Sequence, residues 1–326
     1  MVDFQHIIPR GNTSDKKFEL VDWKFRSYIS AMQTWILFTI LAVIMQSVRT
    51  AGQKQISKEL SVQATTLARF LFGLPFVWLY FGWLNTISGK SEITPQSTFF
   101  LYATLAAIAQ IIATVLLIKA LTIRNFAVGT ALAKTEALMT ALLASVFFSA
   151  TMSLVGYLSV FIGVTGALIA SKWKMSCRDL KDNESIKYGL GAGLGFGLAS
   201  VWLREASLSL LLNPLLSAAT TLVYMVSLQA LICIVWITNY QREQFRLIAK
   251  NIKACLFIGF TGVAGSIGWF TALSLQQAAL VKTLGQTDFI MTLAITWFYF
   301  GEKVSIREYM GIALIIISVV LLLQFS

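Results

Sequence analysis

The sequence predicts an all-α integral membrane protein of about ten transmembrane helices, built as two inverted five-helix repeats. Three observations carry that expectation: an apolar excess that water cannot accept, about ten apolar runs of spanning length, and an internal repeat. Of 326 residues, 57% are hydrophobic and 13% charged, with mean hydropathy +0.73. Soluble domains carry roughly 45–50% apolar and about 25% charged residues, so a bilayer must receive the difference.

The runs fall at about 32–50, 62–84, 98–121, 126–148, 152–171, 188–205, 215–238, 254–275, 279–300 and 306–325. Each approaches the roughly 20 residues that cross a hydrocarbon core. They are apolar on every face, whereas barrel strands alternate. Pro75 lies inside the second run and is expected to kink it. The sixth opens with Gly189, Gly191, Gly193, Gly195 and Gly197. No strand precedes them and the GxGxxG spacing is absent, which excludes a dinucleotide fingerprint. Glycines four apart let helix backbones approach closely in lipid; a hinge is the alternative. Residues 1–30 form a polar tail or an amphipathic lead-in, without the short apolar core of a cleaved signal peptide.

The chain repeats itself. Ala64–Leu67 (ATTL) recurs at Ala219–Leu222, and the same shift of 155 sets Arg49 on Arg204 and Ala51 on Ala206. With a shift of 152, ALTIRNFAVGTALAKTEALMT from Ala120 aligns with ALSLQQAALVKTLGQTDFIMT from Ala272, identical at seven of 21 positions. Glu136 then falls on Asp288. The division is a tail (1–30), a first repeat (31–171), a connecting loop (172–187) and a second repeat (188–326). Five helices per half force the second half to enter the membrane upside down, an architecture that puts transporter sites near the repeat interface.

The formal charge of +11 comes from basic residues in short loops, the pattern of cytoplasmic loops and not of a nucleic-acid groove. Cys177, Cys233 and Cys255 show no metal spacing and read as free thiols. The lone histidine, His6, precedes the first run, and no HxxxH or DxxD cluster occurs within the runs. A metal- or nucleophile-dependent membrane enzyme is therefore disfavoured, and no cofactor is expected.

Charges inside spans are expensive, about 2.5–3.5 kcal/mol each on insertion scales, and usually face a cavity or a partner. The candidates for substrate binding and translocation are Arg49, Arg69, Lys134, Glu136, Arg204, Lys282 and Asp288, with Glu205 beside them. Arg69, Glu136 and Asp288 lie deepest; Arg49, Arg204, Glu205 and Lys282 are near enough to helix ends to snorkel. Residues two apart on a helix point about 200° from each other, so Lys134 and Glu136 cannot share a face. Glu136 aligns with Thr140 and Asp288 with Thr292; Thr130 aligns with Lys134 and Lys282 with Gln286. Each half thus presents an acidic and a basic stripe, and Arg69 is the expected partner of a carboxylate. The basic excess favours an anionic ligand. Trp202, Trp269, Phe270 and Trp297 are candidate aromatic walls, with a lipid-facing role as the alternative.

GEKVSIREYMGIALIIISVVLLL at the C-terminus, ARFLFGLPF at Ala68–Phe76, and the paired IKALTI (Ile118–Ile123) and FTALSL (Phe270–Leu275) resemble the EamA-type family of the drug/metabolite transporter superfamily. The resemblance runs from about Gln33 onward. It implies ten helices, alternating access and small organic substrates. The first half departs from the family in reading Phe148-Ser149-Ala150 where the second has Phe300-Gly301-Glu302. Neither Glu136 nor Asp288 is followed by the proline common in that family, which puts a kinked fourth or ninth helix in doubt.

Residues and resemblance together lead to an expected secondary transporter in the bacterial inner membrane. Its substrate would be a small polar metabolite, anionic or zwitterionic, such as an amino acid; export and coupling to protons stay open. Multidrug efflux is the alternative, followed by a non-transporting sensor and an enzyme. Loops after odd-numbered helices carry 14 Lys/Arg against six on the other side. The positive-inside rule then places both termini outside, whereas the resemblance implies both inside.

Overall fold

The computed structural model describes residues 13–88, 93–122, 132–150, 152–170, 184–291 and 305–325. The expectations for Thr130, Thr292, Trp297 and Cys177 lie outside these residues. Among the described residues all regular structure is helical. In chain order the helices are α1 (Thr13–Ile56), α2 (Val62–Leu71), α3 (Leu74–Ile87), α4 (Ser97–Thr122), α5 (Glu136–Phe148) and α6 (Leu154–Ala170). They continue with α7 (Glu184–Ser209), α8 (Pro214–Tyr240), α9 (Gln244–Lys250), α10 (Ile252–Leu275), α11 (Ala278–Leu284) and α12 (Ile306–Phe325). A 3-10 turn, Gly285–Thr287, follows α11.

Among the described residues, six stretches are long and apolar enough to cross a membrane: Thr34–Ile56, Val62–Ile87, Ser97–Ala120, Pro214–Tyr240, Ile252–Leu275 and Ile306–Gln324. α5 and α6 are apolar but shorter. α7 has 26 residues, but it is glycine-rich and carries Arg204 and Glu205. This is a multi-pass membrane protein, with large apolar side chains such as Leu79, Phe147, Leu158 and Ile316 exposed on its outside. Only a hydrocarbon solvent makes that favourable.

Local chemistry sets the helix ends. Asn213 caps α8 by accepting from the Leu215 N–H at 3.0 Å, with Pro214 at the first helical position. Ser305 and Glu308 form a reciprocal capping box at the start of α12: Ser305 N–H donates to Glu308 Oε2 at 2.6 Å and Glu308 N–H to Ser305 Oγ at 3.4 Å. The second run does break near Pro75, which sits in the first turn of α3 after the Phe72–Gly73 turn. The N-terminal stretch is helical from Thr13, continuous with the first span. At about 1.5 Å per residue its 44 residues outreach the bilayer core.

Contacts between the halves come in matched sets. α1 packs on α10 and α4 on α7, which is one relation read in both directions if α1 corresponds to α7 and α4 to α10. α2 and α3 pack on α8, α5 on α11, and α6 on α12. The glycine run explains how α4 and α5 both reach α7. A Cβ on Gly191 or Gly195 would crowd Leu116 and Ala113 of α4. One on Gly193 or Gly197 would meet Thr135 and Thr140, at and within α5. Two smooth tracks thus run along two sides of one helix.

Candidate functional site

Where the halves meet, the backbone is interrupted twice, at equivalent places. A turn at Lys134–Thr135 precedes α5, and the 3-10 turn ends immediately before Asp288. Under the 152 shift Thr135 corresponds to Thr287. Their hydroxyls do the same work: Thr135 Oγ1 donates to the Leu132 carbonyl at 2.6 Å and Thr287 Oγ1 to the Leu284 carbonyl at 2.8 Å. Each threonine satisfies a carbonyl next to the break, so no proline is needed to interrupt the helix. Helical structure then resumes at the acidic residue in each half, and Glu136 lies in the first turn of α5, where the helix dipole favours negative charge.

The charges at these breaks pair across the halves. Lys134 contacts the Asp288 carboxylate, and Lys282 Nζ lies 2.6 Å from Glu136 Oε1. Lys134, in the turn, and Glu136, at the start of α5, point to different partners. The Lys282 ammonium also sits 4.1 Å from the centroid of the Trp269 ring, a cation–π contact in a dry site. Trp269 packs against Gly285, where any side chain would collide with its ring, and donates through Nε1 to Gln46 Oε1 at 3.0 Å.

Next to these pairs a cavity of about 40 Å³ is lined by Gln46 and Arg49 of α1, Arg69 of α2, Gln110 of α4 and Glu136 of α5. α7 contributes Phe196 and Ser200, α10 contributes Ser266, Trp269 and Phe270, and α11 contributes Lys282. A space of this size holds a few waters and no metabolite. Arg49 and Arg69 are 3% and 5% exposed. Arg69 donates to Thr114 Oγ1 at 3.0 Å. The Nε of Arg49 is buried without a hydrogen-bond partner, and no carboxylate lies within 4 Å of either arginine among the described residues. Both stems cross Gly262 of α10, whose Cβ would stand 3.3 Å from Arg69 Cγ and 3.6 Å from Arg49 Cδ. The two guanidiniums are close enough to repel each other.

Arg69 is thus not the partner of a carboxylate, as its sequence position suggested; lysines from the opposite half take both acids first. Arg204 lies outside the cavity lining. It donates to the Leu273 carbonyl at 2.6 Å and to that of Gln276, closing the end of α10, where a cation is favoured. Trp269 and Phe270 face the cavity, while Trp202 lines a separate apolar groove with Tyr102, Leu143, Phe147 and Phe148. Sequence reasoning missed the amides. Gln229 of α8 donates to Gln110 Oε1 at 2.8 Å and to the Ala107 carbonyl at 3.1 Å. A glutamine in the middle of the apolar run 215–238 was the available signal.

A family model described as the EamA-like transporter family matches residues 33–172 and again 184–324. No curated protein sequence matches the chain. A solved crystal structure of another protein is similar in fold, with a TM-score of 0.64 at 12% identity, covering 89% of this chain and 97% of that one.

Proposed function

The chain belongs to the EamA-like transporter family, and from that premise we propose that it is a secondary transporter for a small polar metabolite, anionic or zwitterionic. Its architecture in this reading is ten spans in two inverted five-helix repeats, roughly 31–171 and 188–326. The sequence repeat and the matched contacts between halves support it. Alternating access would exchange which end of the halves is closed, with the substrate held between them. The bacterial inner membrane is the proposed location, lipid and a small-molecule substrate are the partners, and the activity is transport, not catalysis.

One observation carries the reading: two buried arginines, with no carboxylate within 4 Å among the described residues, line a cavity at the junction of the halves. Guanidinium is a planar fork that grips carboxylate or phosphate with two bonds. In this arrangement Arg49 and Arg69 hold the substrate, with Gln46, Gln110 and Ser266 as neutral partners. The cross-paired Lys134–Asp288 and Lys282–Glu136 hold the two broken helices together around it. Lys282 and Glu136 also line the cavity and break apart or re-form as it opens. Proton coupling through Glu136 or Asp288 would need the lysine partner to leave first, so it belongs to the opened state. Multidrug efflux would instead draw on the apolar groove beside Trp202.

The test is uptake and counterflow in proteoliposomes with a panel of amino acids, organic acids, phosphate esters and lipophilic cations. Saturable movement of a polar anion or zwitterion is the expected result, and movement of lipophilic cations alone would replace this reading with efflux. Repeating the assay with an imposed pH gradient in Glu136→Gln and Asp288→Asn tests coupling. Loss of gradient-driven accumulation with exchange intact supports it, and retained accumulation in both variants rules it out.

A further inference from the structure

Resting on the transporter reading above, we infer that the site takes a dianion, a phosphate monoester or a dicarboxylate, and not a zwitterion. The argument is a charge balance. Among the described residues, six charged side chains meet in the ion pairs and the cavity lining at the junction: Arg49, Arg69, Lys134, Glu136, Lys282 and Asp288. Lys134 cancels Asp288 and Lys282 cancels Glu136. Two positive charges remain, both on arginines that are almost wholly buried and cross the same glycine. An uncompensated buried charge is costly, and two that repel each other are more so. A monoanion leaves one of them unmet. A dianion meets both, and its oxygens can receive two guanidinium forks.

The same inventory counts against an ammonium group. A zwitterion needs an anionic or strongly accepting partner for its positive end. Both carboxylates at the junction are engaged by lysines. The amide oxygens of Gln46 and Gln110 each already accept one hydrogen bond, from Trp269 and Gln229, and offer an ammonium only a neutral second lone pair. Three cations, Arg49, Arg69 and Lys282, line the cavity against the single carboxylate of Glu136. The buried Nε of Arg49, which has no hydrogen-bond partner, is the donor such a ligand would satisfy.

Isothermal titration of the purified full chain in detergent, at about pH 8 and constant ionic strength, reads this directly. The probes are methyl phosphate, succinate, acetate and glycine. A phosphate monoester is a dianion at this pH, because its second ionisation lies near about 6. Methyl phosphate or succinate should bind at least about tenfold more tightly than acetate, the size expected of one added charged hydrogen bond, and glycine more weakly than either dianion. The better of the two dianions identifies the source: a single tetrahedral centre, or two separated carboxylates. Arg49→Gln should bring the dianion-to-monoanion ratio close to one, whereas Arg49→Lys should keep a preference for the dianion. Equal binding of acetate and both dianions, glycine binding as tightly as the dianions, or an unchanged ratio in Arg49→Gln each overturns the inference. If Arg49→Gln fails to fold, the wild-type ratios and the lysine variant still decide. Glycine transport without dianion binding defeats this inference and leaves the transporter reading standing. Dianion binding without transport of any compound does the reverse.

Discussion

At the junction of α5 and α11 each described charge meets its opposite, whereas across the same cavity Arg49 and Arg69 lie side by side over Gly262 with no carboxylate within 4 Å among the described residues. Burial of charge is costly in both places, and more so for the nearly inaccessible arginines, but only the first arrangement recovers that cost within the protein. The lysine–carboxylate pairs therefore read as a latch between the two broken helices. The arginine pair reads as a demand for something the chain does not supply. Two sets of intramembrane charge that look alike in composition thus have different jobs, told apart by whether a partner is present.

The largest effect should come from the unpaired side. Arg69→Ala is expected to lower transport by about a hundredfold, the loss of two charged hydrogen bonds, while surface expression and size-exclusion profile hold. Arg69→Lys should also be impaired, because the ammonium keeps the charge but loses the fork. Full activity in well-expressed Arg69→Ala would erase the distinction. On the paired side, Asp288→Asn alone should destabilise the protein by about 3 kcal/mol, since it strands Lys134 in the bundle. The doubly exchanged Lys134→Asp/Asp288→Lys should recover most of that loss in a thermal-denaturation assay. Failure to recover would mean that Asp288 is needed for more than its partner. The smallest effect concerns the link between the two regions. Trp269→Phe removes the bond to Gln46 and weakens the stacking on Lys282, and about 1 kcal/mol of stability should go with them. A large loss of transport in that variant would make Trp269 part of the binding surface.

Much of this arrangement was legible in the sequence, and the gaps have physical causes. Apolar runs, the repeat and the deep charges are local or periodic, so they survive in one dimension. That Lys134 and Glu136 face apart agrees with the expectation from helix geometry, although the turn at Lys134–Thr135 lies between them. Which lysine meets which acid does not, because the pairing crosses more than 140 residues of chain (134 to 288, 136 to 282) and depends on how the halves dock. The helix breaks were hidden for a different reason. Proline is the usual marker of a break and is absent here, and the threonine before each acid, at Thr135 and Thr287, does the equivalent work through its hydroxyl. The glutamines escaped notice because a neutral amide barely disturbs an apolar run, although Gln229 is fully buried.

The two glycine tracks on α7 have a mechanical consequence. Helices normally mesh like gears: ridges of side chains drop into grooves, and one cannot shift along another without climbing out. On the sides that meet α4 and α5, much of α7 has no teeth. Leu116 and Ala113 of α4 and Thr135 and Thr140 at α5 take up the room the glycines leave, so the three helices pack more closely than larger residues would allow. The second of these tracks passes within contact of the Glu136 backbone, where the broken helix begins. α7 is a close-fitting seat, and what rests on it is the part of the chain that carries the latch.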